Sequence, residues 1–268
     1  MKVSVGQFNP GGDVGENLAT MRRLADAAKA QAASLIVFPE ESMFSVGRVH
    51  GDFAAAVDAQ WTTFVRGLSL LASEVGIAAI AGGYEGSGED RPFNTLIAVA
   101  DDGRIIDTYR KLHLYDAFSY QESKRIKPGD GGIKLVTIGG LRVGIMTCYD
   151  LRFPELARAL ADEGADLICI GAAWFKGDHK VDHWESLLKA RAIENTCWVA
   201  AAGTSSEHCI GHSVILDPMG IPQVFLNDEP EGIATADVTL KRIEEVREFL
   251  PVLKNRRLAG TARIVPAH

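Results

Sequence analysis

The sequence predicts an α/β fold in which helices cover the sheets. Short strand-like runs alternate with amphipathic helical segments, and a tight turn joins two strands in each half of the chain. Of the 268 residues, 47% are hydrophobic, which is enough for a large buried core. No Pro/Ser-rich linker, charge block or short repeat interrupts the pattern. We therefore expect one domain over residues 1–268.

The N-terminal half predicts a strand–helix–strand unit followed by a hairpin. Residues 2–8 alternate as a strand does, and residues 34–38 are apolar on both faces, as in a central parallel strand. Between them, one apolar helix face is formed by Leu18, Met21, Leu24, Ala25 and Ala28. The next predicted elements are a helix at 57–75 closed by Gly76, a strand at 77–82, and a hairpin of strands 93–100 and 104–110.

The C-terminal half repeats this outline after a charged segment at 112–132, which predicts a long loop over the site. Strands at 133–138 and 141–147 form a second predicted hairpin. A helix at 153–163, a strand at 166–170 and a helix at 181–195 follow. The last predicted elements are further strands around a turn at 217–220, a strand at 233–238 and an amphipathic helix from residue 240 to 250.

Cys148 lies where the strand at 141–147 meets a polar, Pro-containing segment that can begin a helix. A side chain at such an elbow projects from the carboxyl edge of a sheet, and the N–H groups of the following helix point towards it. We therefore expect a thiolate to be favoured. From this stretch alone, a small buried structural cysteine is an equal alternative.

The elbow also carries a family resemblance. Residues 144–155, GIMTCYDLRFPE, closely resemble the nucleophile motif of the nitrilase-type carbon–nitrogen hydrolases. LIVFPE at 35–40, YRKLHL at 109–114 and QES at 121–123 resemble the family's other motifs, in the same order. The chain is thus similar to the nitrilase superfamily, and residues 115–129 resemble its ω-amidase and deaminated-glutathione-amidase branch. This resemblance implies a four-layer α-β-β-α sandwich and a homodimer or larger homo-oligomer, with residues 240–268 available for subunit contacts.

The same resemblance implies the catalytic residues. Cys148 would attack the substrate, Glu40 would act as the base, and Lys111 with the Tyr149 backbone N–H would hold the oxyanion. Glu122 matches a second glutamate that positions the lysine and the substrate. Two carboxylates beside one lysine predict a raised pKa for at least one carboxylate. No metal or organic cofactor is expected.

Aromatic side chains are predicted to line the substrate pocket. Trp174 and Phe175 follow the strand at 166–170, where a neighbouring sheet edge should meet the pocket. The other candidates are Tyr115, Tyr149 and Phe44. Asp150 and Arg152 are expected to tie the elbow together by ion pairing. A role for Arg152 in holding a substrate carboxylate is the alternative.

The predicted activity is hydrolysis of small linear amides to a carboxylic acid and ammonia through a cysteine thioester. A nitrilase or N-carbamoyl amino acid hydrolase is the enzymatic alternative, and an inactive binding subunit on the same fold is the alternative of another class. His113, His183 and His212 also allow a Cys–His mechanism. None of these histidines lies in a recognisable thiol-protease motif.

Charge and cysteine content exclude several other classes. The net charge is −7, and no stripe of Lys and Arg alternates with aromatics, so no nucleic-acid partner is expected. The first residues enter a strand directly and no apolar run reaches the length of a membrane span, so we expect a cytoplasmic protein without a membrane partner. The four cysteines form no C-x-x-C pair, which indicates neither a zinc site nor a disulfide framework.

Overall fold

A computed structural model describes residues 1–258. The elements of the first half are β1 (Lys2–Gln7), α1 (Val14–Ala30), β2 (Ala33–Val37), α2 (Phe53–Val75), β3 (Ala78–Glu85), β4 (Phe93–Val99) and β5 (Ile105–Arg110). A small hairpin, β6 (Asp116–Ala117) and β7 (Tyr120–Gln121), follows. The elements of the second half are β8 (Leu135–Ile138), β9 (Leu141–Thr147), α3 (Pro154–Asp162), β10 (Leu167–Ala172), α4 (Lys180–Asn195), β11 (Trp198–Gly203), β12 (Val214–Leu216), β13 (Pro222–Phe225), β14 (Gly232–Asp237) and α5 (Leu240–Phe249).

The strands form two six-stranded sheets with related layouts. The first has the order β14-β1-β2-β3-β4-β5, and the second has the order β13-β12-β11-β10-β9-β8. In each sheet three parallel strands occupy the centre, β1–β3 in the first and β9–β11 in the second. Antiparallel strands flank them on both sides. Both predicted hairpins, β4–β5 and β8–β9, are confirmed.

The two sheets pack face to face, and the helices cover their outer faces. Because side chains alternate along a strand, Leu35 and Val37 of β2 join the core between the sheets, whereas Ile36 packs towards α1 and α2. Leu160 of α3 and Leu188 of α4 pack against the second sheet. The helix–sheet–sheet–helix order confirms the four-layer α-β-β-α sandwich that the family resemblance implied.

Two segments differ from their predicted form. Helix α2 begins at Phe53, earlier than the predicted residue 57, because the Asp52 side chain caps it by accepting a hydrogen bond from the Ala55 N–H at 3.1 Å. It ends at Gly76 as predicted, in the left-handed conformation. The segment at 112–132, predicted as a loop, contains the β6–β7 hairpin and a 3₁₀ turn at Glu122–Lys124.

Helix α5 is present near the predicted position. The predicted use of residues 240–268 in subunit contacts stays a prediction, and residues 259–268 lie outside the described part of the chain. A single domain over residues 1–268 also stays a prediction. Within residues 1–258, no helix has both the length and the apolar character that crossing a membrane requires.

Candidate active site

The four predicted catalytic side chains line one pocket. Each follows the end of a strand: Glu40 follows β2, Lys111 follows β5, Glu122 follows β7 and Cys148 follows β9. β2 and β5 belong to the first sheet, whereas β9 belongs to the second. The pocket therefore opens where strand ends of the two packed sheets meet, and its volume is about 590 Å³ including the open mouth.

Two glycines let the backbone of Glu40 fit between the sheets. A Cβ atom at Gly82 of β3 would overlap the Glu40 carbonyl, and one at Gly171 of β10 would lie 2.9 Å from the Phe38 oxygen. The Gly82 N–H instead donates to the Pro39 carbonyl at 3.1 Å. The close approach of both strands fixes where the Glu40 carboxylate enters the pocket.

Lys111 is buried between two carboxylates. Its Nζ lies 2.8 Å from Glu40 Oε1, and 2.9 and 3.1 Å from Glu122 Oε2 and Oε1. Burial alone would lower the pKa of Lys111, but the charges of Glu122 and Glu40 raise this pKa well above its usual value. Lys111 is therefore a full ammonium at neutral pH.

Glu40 is held by three donors. Oε1 accepts hydrogen bonds from Lys111 and from Asn94 Nδ2 at 2.7 Å, and Oε2 accepts one from the Ala173 backbone N–H at 2.8 Å. Burial would raise the pKa of Glu40, but the charge and hydrogen bond of Lys111, with the Ala173 N–H, lower it. The predicted upward shift is therefore wrong for Glu40, which is a carboxylate at neutral pH.

A raised carboxyl pKa is instead found at the next residue, which the sequence analysis did not single out. Glu41 also lines the pocket, and its Oε1 accepts a hydrogen bond from the Tyr84 hydroxyl at 3.0 Å. Burial and the neighbouring charge of Glu40 raise the pKa of Glu41 to about 7. A second acid next to Glu40 thus titrates near neutrality.

Cys148 occupies the predicted elbow. It has a φ of +44°, a backbone conformation that non-glycine residues rarely adopt and that is frequent at nucleophile elbows. A 3₁₀ turn at Cys148–Arg152 leads into α3. Burial raises the pKa of Cys148 well above its usual value, the charge of Glu40 raises it further, and Lys111 opposes both. The expectation of a favoured thiolate is therefore wrong, because the resting residue is a thiol facing a carboxylate.

The predicted ion pairing between Asp150 and Arg152 is also wrong. The buried Asp150 carboxylate accepts its hydrogen bonds from elsewhere, including the Tyr109 hydroxyl at 2.6 Å. Arg152 lines the pocket, where its Nη2 lies 3.4 Å from His183 Nδ1 and its Cζ lies 4.7 Å from the Trp174 ring centroid. The Asp150 side chain therefore points into the core, whereas the Arg152 side chain points into the pocket.

Four of the five predicted aromatic residues line the pocket, namely Tyr115, Tyr149, Trp174 and Phe175. The ring centroids of Tyr115 and Tyr149 are 5.1 Å apart, and those of Tyr115 and Phe175 are 5.8 Å apart. Phe44 does not line it, because its buried ring stacks on Tyr84 at 5.7 Å instead. These four residues thus form an aromatic wall of the pocket that contains Cys148.

Besides Glu41, sequence reasoning missed Asn94 and Lys180, which contact predicted site residues. Asn94 bridges the carboxylates, since its Nδ2 lies 2.7 Å from Glu40 Oε1 and 3.3 Å from Glu122 Oε1. A polar residue inside the apolar strand at 93–99 was a usable signal for Asn94. Lys180 begins α4 and donates to the Tyr115 hydroxyl at 2.9 Å. Nothing in its local sequence distinguishes it from a surface lysine.

The three histidines proposed for a Cys–His mechanism contact other groups. His113 Nδ1 lies 2.7 Å from Asp150 Oδ1, and His212 Nδ1 lies 3.5 Å from Glu185. His183 contacts Arg152. Within residues 1–258, the residues that line the pocket with Cys148 include no histidine. This geometry favours the Glu–Lys–Cys arrangement.

The four-layer fold and the motif residues gathered in one pocket indicate the class of carbon–nitrogen hydrolases. The sequence pattern of the Carbon-nitrogen hydrolase family matches residues 2–248. The chain therefore belongs to this family, within the nitrilase superfamily, and it is an enzyme of that class.

The relatives place the chain on the amidase branch. It is 47% identical over 169 residues to a deaminated glutathione amidase of Escherichia coli O157:H7, an alignment that covers 63% of this chain and 64% of that relative. It is 32% identical over 253 residues to the mouse omega-amidase NIT2, covering 90% of both chains. A structure of a mutant amidase from Nesterenkonia sp. AN1 superimposes with a TM-score of 0.83 at 26% identity, covering 96% of this chain and 94% of that one. That structure shows the acetamide moiety of fluoroacetamide added covalently at the active-site cysteine.

Proposed function

We propose that this hydrolase cleaves small linear amides that carry a carboxylate, releasing ammonia through a thioester on Cys148. The observation that carries the proposal is the buried Lys111 ammonium, held by Glu40 and Glu122 at 2.8 and 2.9 Å beside the Cys148 thiol. A base, a nucleophile and a fixed positive charge are the groups that thiol-dependent acyl transfer requires.

In the first half-reaction, Cys148 Sγ attacks the amide carbon while Glu40 accepts the thiol proton. The carbonyl oxygen becomes an oxyanion, which accepts hydrogen bonds from the Lys111 ammonium and the Tyr149 backbone N–H. Glu40 then gives its proton to the nitrogen, the C–N bond breaks, and ammonia leaves. The pocket retains an acyl group bonded to Sγ.

In the second half-reaction, a water molecule loses a proton to Glu40 as its oxygen attacks the thioester carbon. The same two donors hold the second oxyanion. The C–S bond breaks, the proton returns from Glu40 to sulfur, and the carboxylic acid leaves. One water is consumed and the enzyme returns to its starting state.

Lys111 also links the base to the oxyanion. Before the reaction, the contact of Lys111 with Glu40 lowers the pKa of that carboxyl, so Glu40 is a weak base. When negative charge develops on the substrate oxygen, the same ammonium is shared with it, and Glu40 becomes more basic as the thiol proton is transferred. Basicity thus rises at the moment of attack.

Glu122 fixes the lysine rather than reacting. Both of its oxygens contact Lys111 Nζ, and Oε2 also accepts the Tyr115 backbone N–H at 2.6 Å. It therefore connects Lys111 to the segment that carries the aromatic wall. A lysine held in this way needs little reorganisation in the transition state.

Two cations support the carboxylate part of the proposal. Arg152 and Lys180 line the pocket with Cys148, and within residues 1–258 neither forms an ion pair with a carboxylate. Burial lowers the pKa of Lys180, and the positive charge of Arg152 lowers it further. Arg152 Nε is buried without a hydrogen-bond partner in the described structure. A substrate carboxylate would offset the repulsion between Arg152 and Lys180, and it would accept a hydrogen bond from Arg152 Nε.

The test is ammonia release from a panel in which each dicarboxylic acid monoamide is paired with its methyl ester. The free acids are expected to react with the lower KM, and replacing Arg152 by Leu is expected to remove that preference. Nitriles and N-carbamoyl amino acids belong to the same panel, with carbon dioxide as the readout for the latter. Carbon dioxide release, or preferential hydrolysis of nitriles, would replace the amide assignment. Failure of every substrate to acylate Cys148 would indicate a binding subunit.

A further inference from the structure

The oxyanion donor and the nucleophile come from different sheets, so their separation depends on contacts between sheets. Lys111 follows β5, an edge strand of the first sheet, and Cys148 follows β9 of the second. The two elements meet at Asp150, whose side chain is fully buried.

The Asp150 carboxylate accepts four hydrogen bonds, two on each oxygen. Oδ2 accepts the Tyr109 hydroxyl at 2.6 Å and the Thr147 backbone N–H at 2.9 Å. Oδ1 accepts the His113 backbone N–H at 3.1 Å and lies 2.7 Å from His113 Nδ1. Through Asp150, the Tyr109 hydroxyl joins β5 to the elbow, which is the turn at Cys148–Arg152 with its flanking residues. The two His113 bonds join the residues after β5 to the same elbow.

These bonds bracket both reacting groups. Tyr109 and His113 lie two residues before and two residues after Lys111, while Thr147 immediately precedes Cys148. The His113 ring also stacks on Phe153 of the elbow, with centroids 3.7 Å apart and planes 9° from parallel. The lysine is thus tethered on both sides to the turn that carries the nucleophile.

We infer that Asp150 is a positioning residue that sets the distance between Lys111 Nζ and the carbon attacked by Cys148. The inference rests on the roles proposed above for Lys111 and Cys148. Hydrogen bonds to a buried carboxylate are strong, and both oxygens are needed to hold the two sides of Lys111. A misplacement of about 1 Å in such a site costs roughly a hundredfold in rate.

The test compares Asp150→Asn with a matched control, Asp217→Asn. Asp217 is also buried and also accepts four hydrogen bonds. Its donors are the Met219 and Ile221 backbone N–H groups and two nitrogens of Arg242, at 2.7 to 3.0 Å. It does not line the pocket. The control therefore has the same chemistry and similar burial, without a bond to the Lys111 or Cys148 segments.

Two readouts are needed for each variant. The first is kcat and KM for an amide substrate. The second is the midpoint pH for alkylation of Cys148 by iodoacetamide, which requires no amide turnover. The other three cysteines, Cys169, Cys197 and Cys209, are also buried, so the alkylated peptide is identified by mass spectrometry at each pH and only the modification of Cys148 is counted.

For Asp150→Asn we expect kcat to fall by about a hundredfold with KM changed only a few-fold, since the oxyanion contact is made in the transition state. We also expect a higher alkylation midpoint, because the displaced Lys111 charge no longer lowers the pKa of Cys148 to the same extent. Asp217→Asn should leave both readouts at the wild-type values even where it lowers the melting temperature.

An alkylation midpoint that is unchanged in Asp150→Asn, or that shifts equally in Asp217→Asn, would overturn the inference whatever the kcat. If Asp150→Asn does not fold, Tyr109→Phe decides, because it removes one of the four hydrogen bonds to Asp150, together with a 3.4 Å contact from the Leu112 N–H, and leaves the other three. It should shift both readouts in the same direction by a smaller amount, and wild-type values would overturn the inference. A wild-type protein that hydrolyses no amide would refute the proposed function, while the alkylation comparison would still test the tether.

Discussion

Replacing Lys111 by Met tests whether the buried ammonium is the oxyanion donor. Met has nearly the same length, so the change removes the charge and three hydrogen bonds to Glu40 and Glu122 with little loss of volume. Losing one oxyanion donor typically lowers kcat by about 10² to 10³, or roughly 3–4 kcal/mol. We expect a fall in kcat within or above this range, because Glu40 loses its positive partner as well.

The same substitution has a cost in stability that the structure makes specific. Breaking a buried ion pair costs about 3–5 kcal/mol, since the remaining charge has no partner. Without the lysine, Asn94 would be the side chain that still bridges Glu40 and Glu122. Repulsion between the two carboxylates would then raise the pKa of at least one of them. The variant should therefore lose stability as the pH rises through that folded-state pKa, and it should be relatively more stable in acid.

The assay is the initial rate of ammonia release, with circular dichroism and urea unfolding at several pH values. Lys134→Met is the matched control, because Lys134 forms a half-exposed pair with Asp107 at 3.0 Å away from the pocket. It should keep the wild-type rate and lose about 1 kcal/mol of stability or less. Lys111→Arg should rescue poorly, since a planar guanidinium does not fit the space of an ammonium. A folded Lys111→Met variant with wild-type kcat, beside an inactive folded His113→Ala, would refute the reasoning.

Three further outcomes are expected. Cys148→Ala should abolish turnover and Cys148→Ser should be nearly inactive, with the fold intact by circular dichroism; a turnover rate that survives in Cys148→Ala would exclude the thioester. Glu41→Gln should flatten the pH dependence of stability. Folding raises the pKa of Glu41 from 4.5 to about 7, so the wild-type protein loses stability as the pH rises through this window. The variant should therefore be more stable relative to wild type above pH 7 than below pH 4.5, as urea unfolding at both ends of the window would show. Gly82→Ala should reduce activity by displacing Glu40, whose carbonyl the new Cβ would overlap, and an active, equally stable variant would contradict that close approach.

Residues placed by local pattern were predictable. The strands that end before Cys148, Glu40 and Lys111 are visible in the sequence as apolar or alternating runs. The family resemblance then implied the four-layer α-β-β-α arrangement. Strand ends depend on residues that are close together in the sequence, so a local pattern is enough to predict them.

Properties that depend on packing between distant segments were not predictable. The pKa directions of Cys148 and Glu40 follow from burial and from partners such as the Ala173 N–H, 133 positions away in the chain. Asp150 was expected to pair with Arg152 because the two are neighbours in sequence. A 3₁₀ turn instead sends one side chain into the core and the other into the pocket, a geometry that no short sequence pattern specifies.

The pairing of β1 with β14 has a consequence for biosynthesis. The Met1 nitrogen donates to the Val238 carbonyl at 2.7 Å, a contact between residues 237 positions apart, and β14 lies on the outer side of β1. During translation the first sheet therefore keeps an open edge along β1 until β14, Gly232–Asp237, has left the ribosome. An unpaired apolar strand edge is a template for aggregation. Nascent chains that stall before residue 232 should need a chaperone to stay dispersed, whereas chains that include all of β14 can close the sheet themselves.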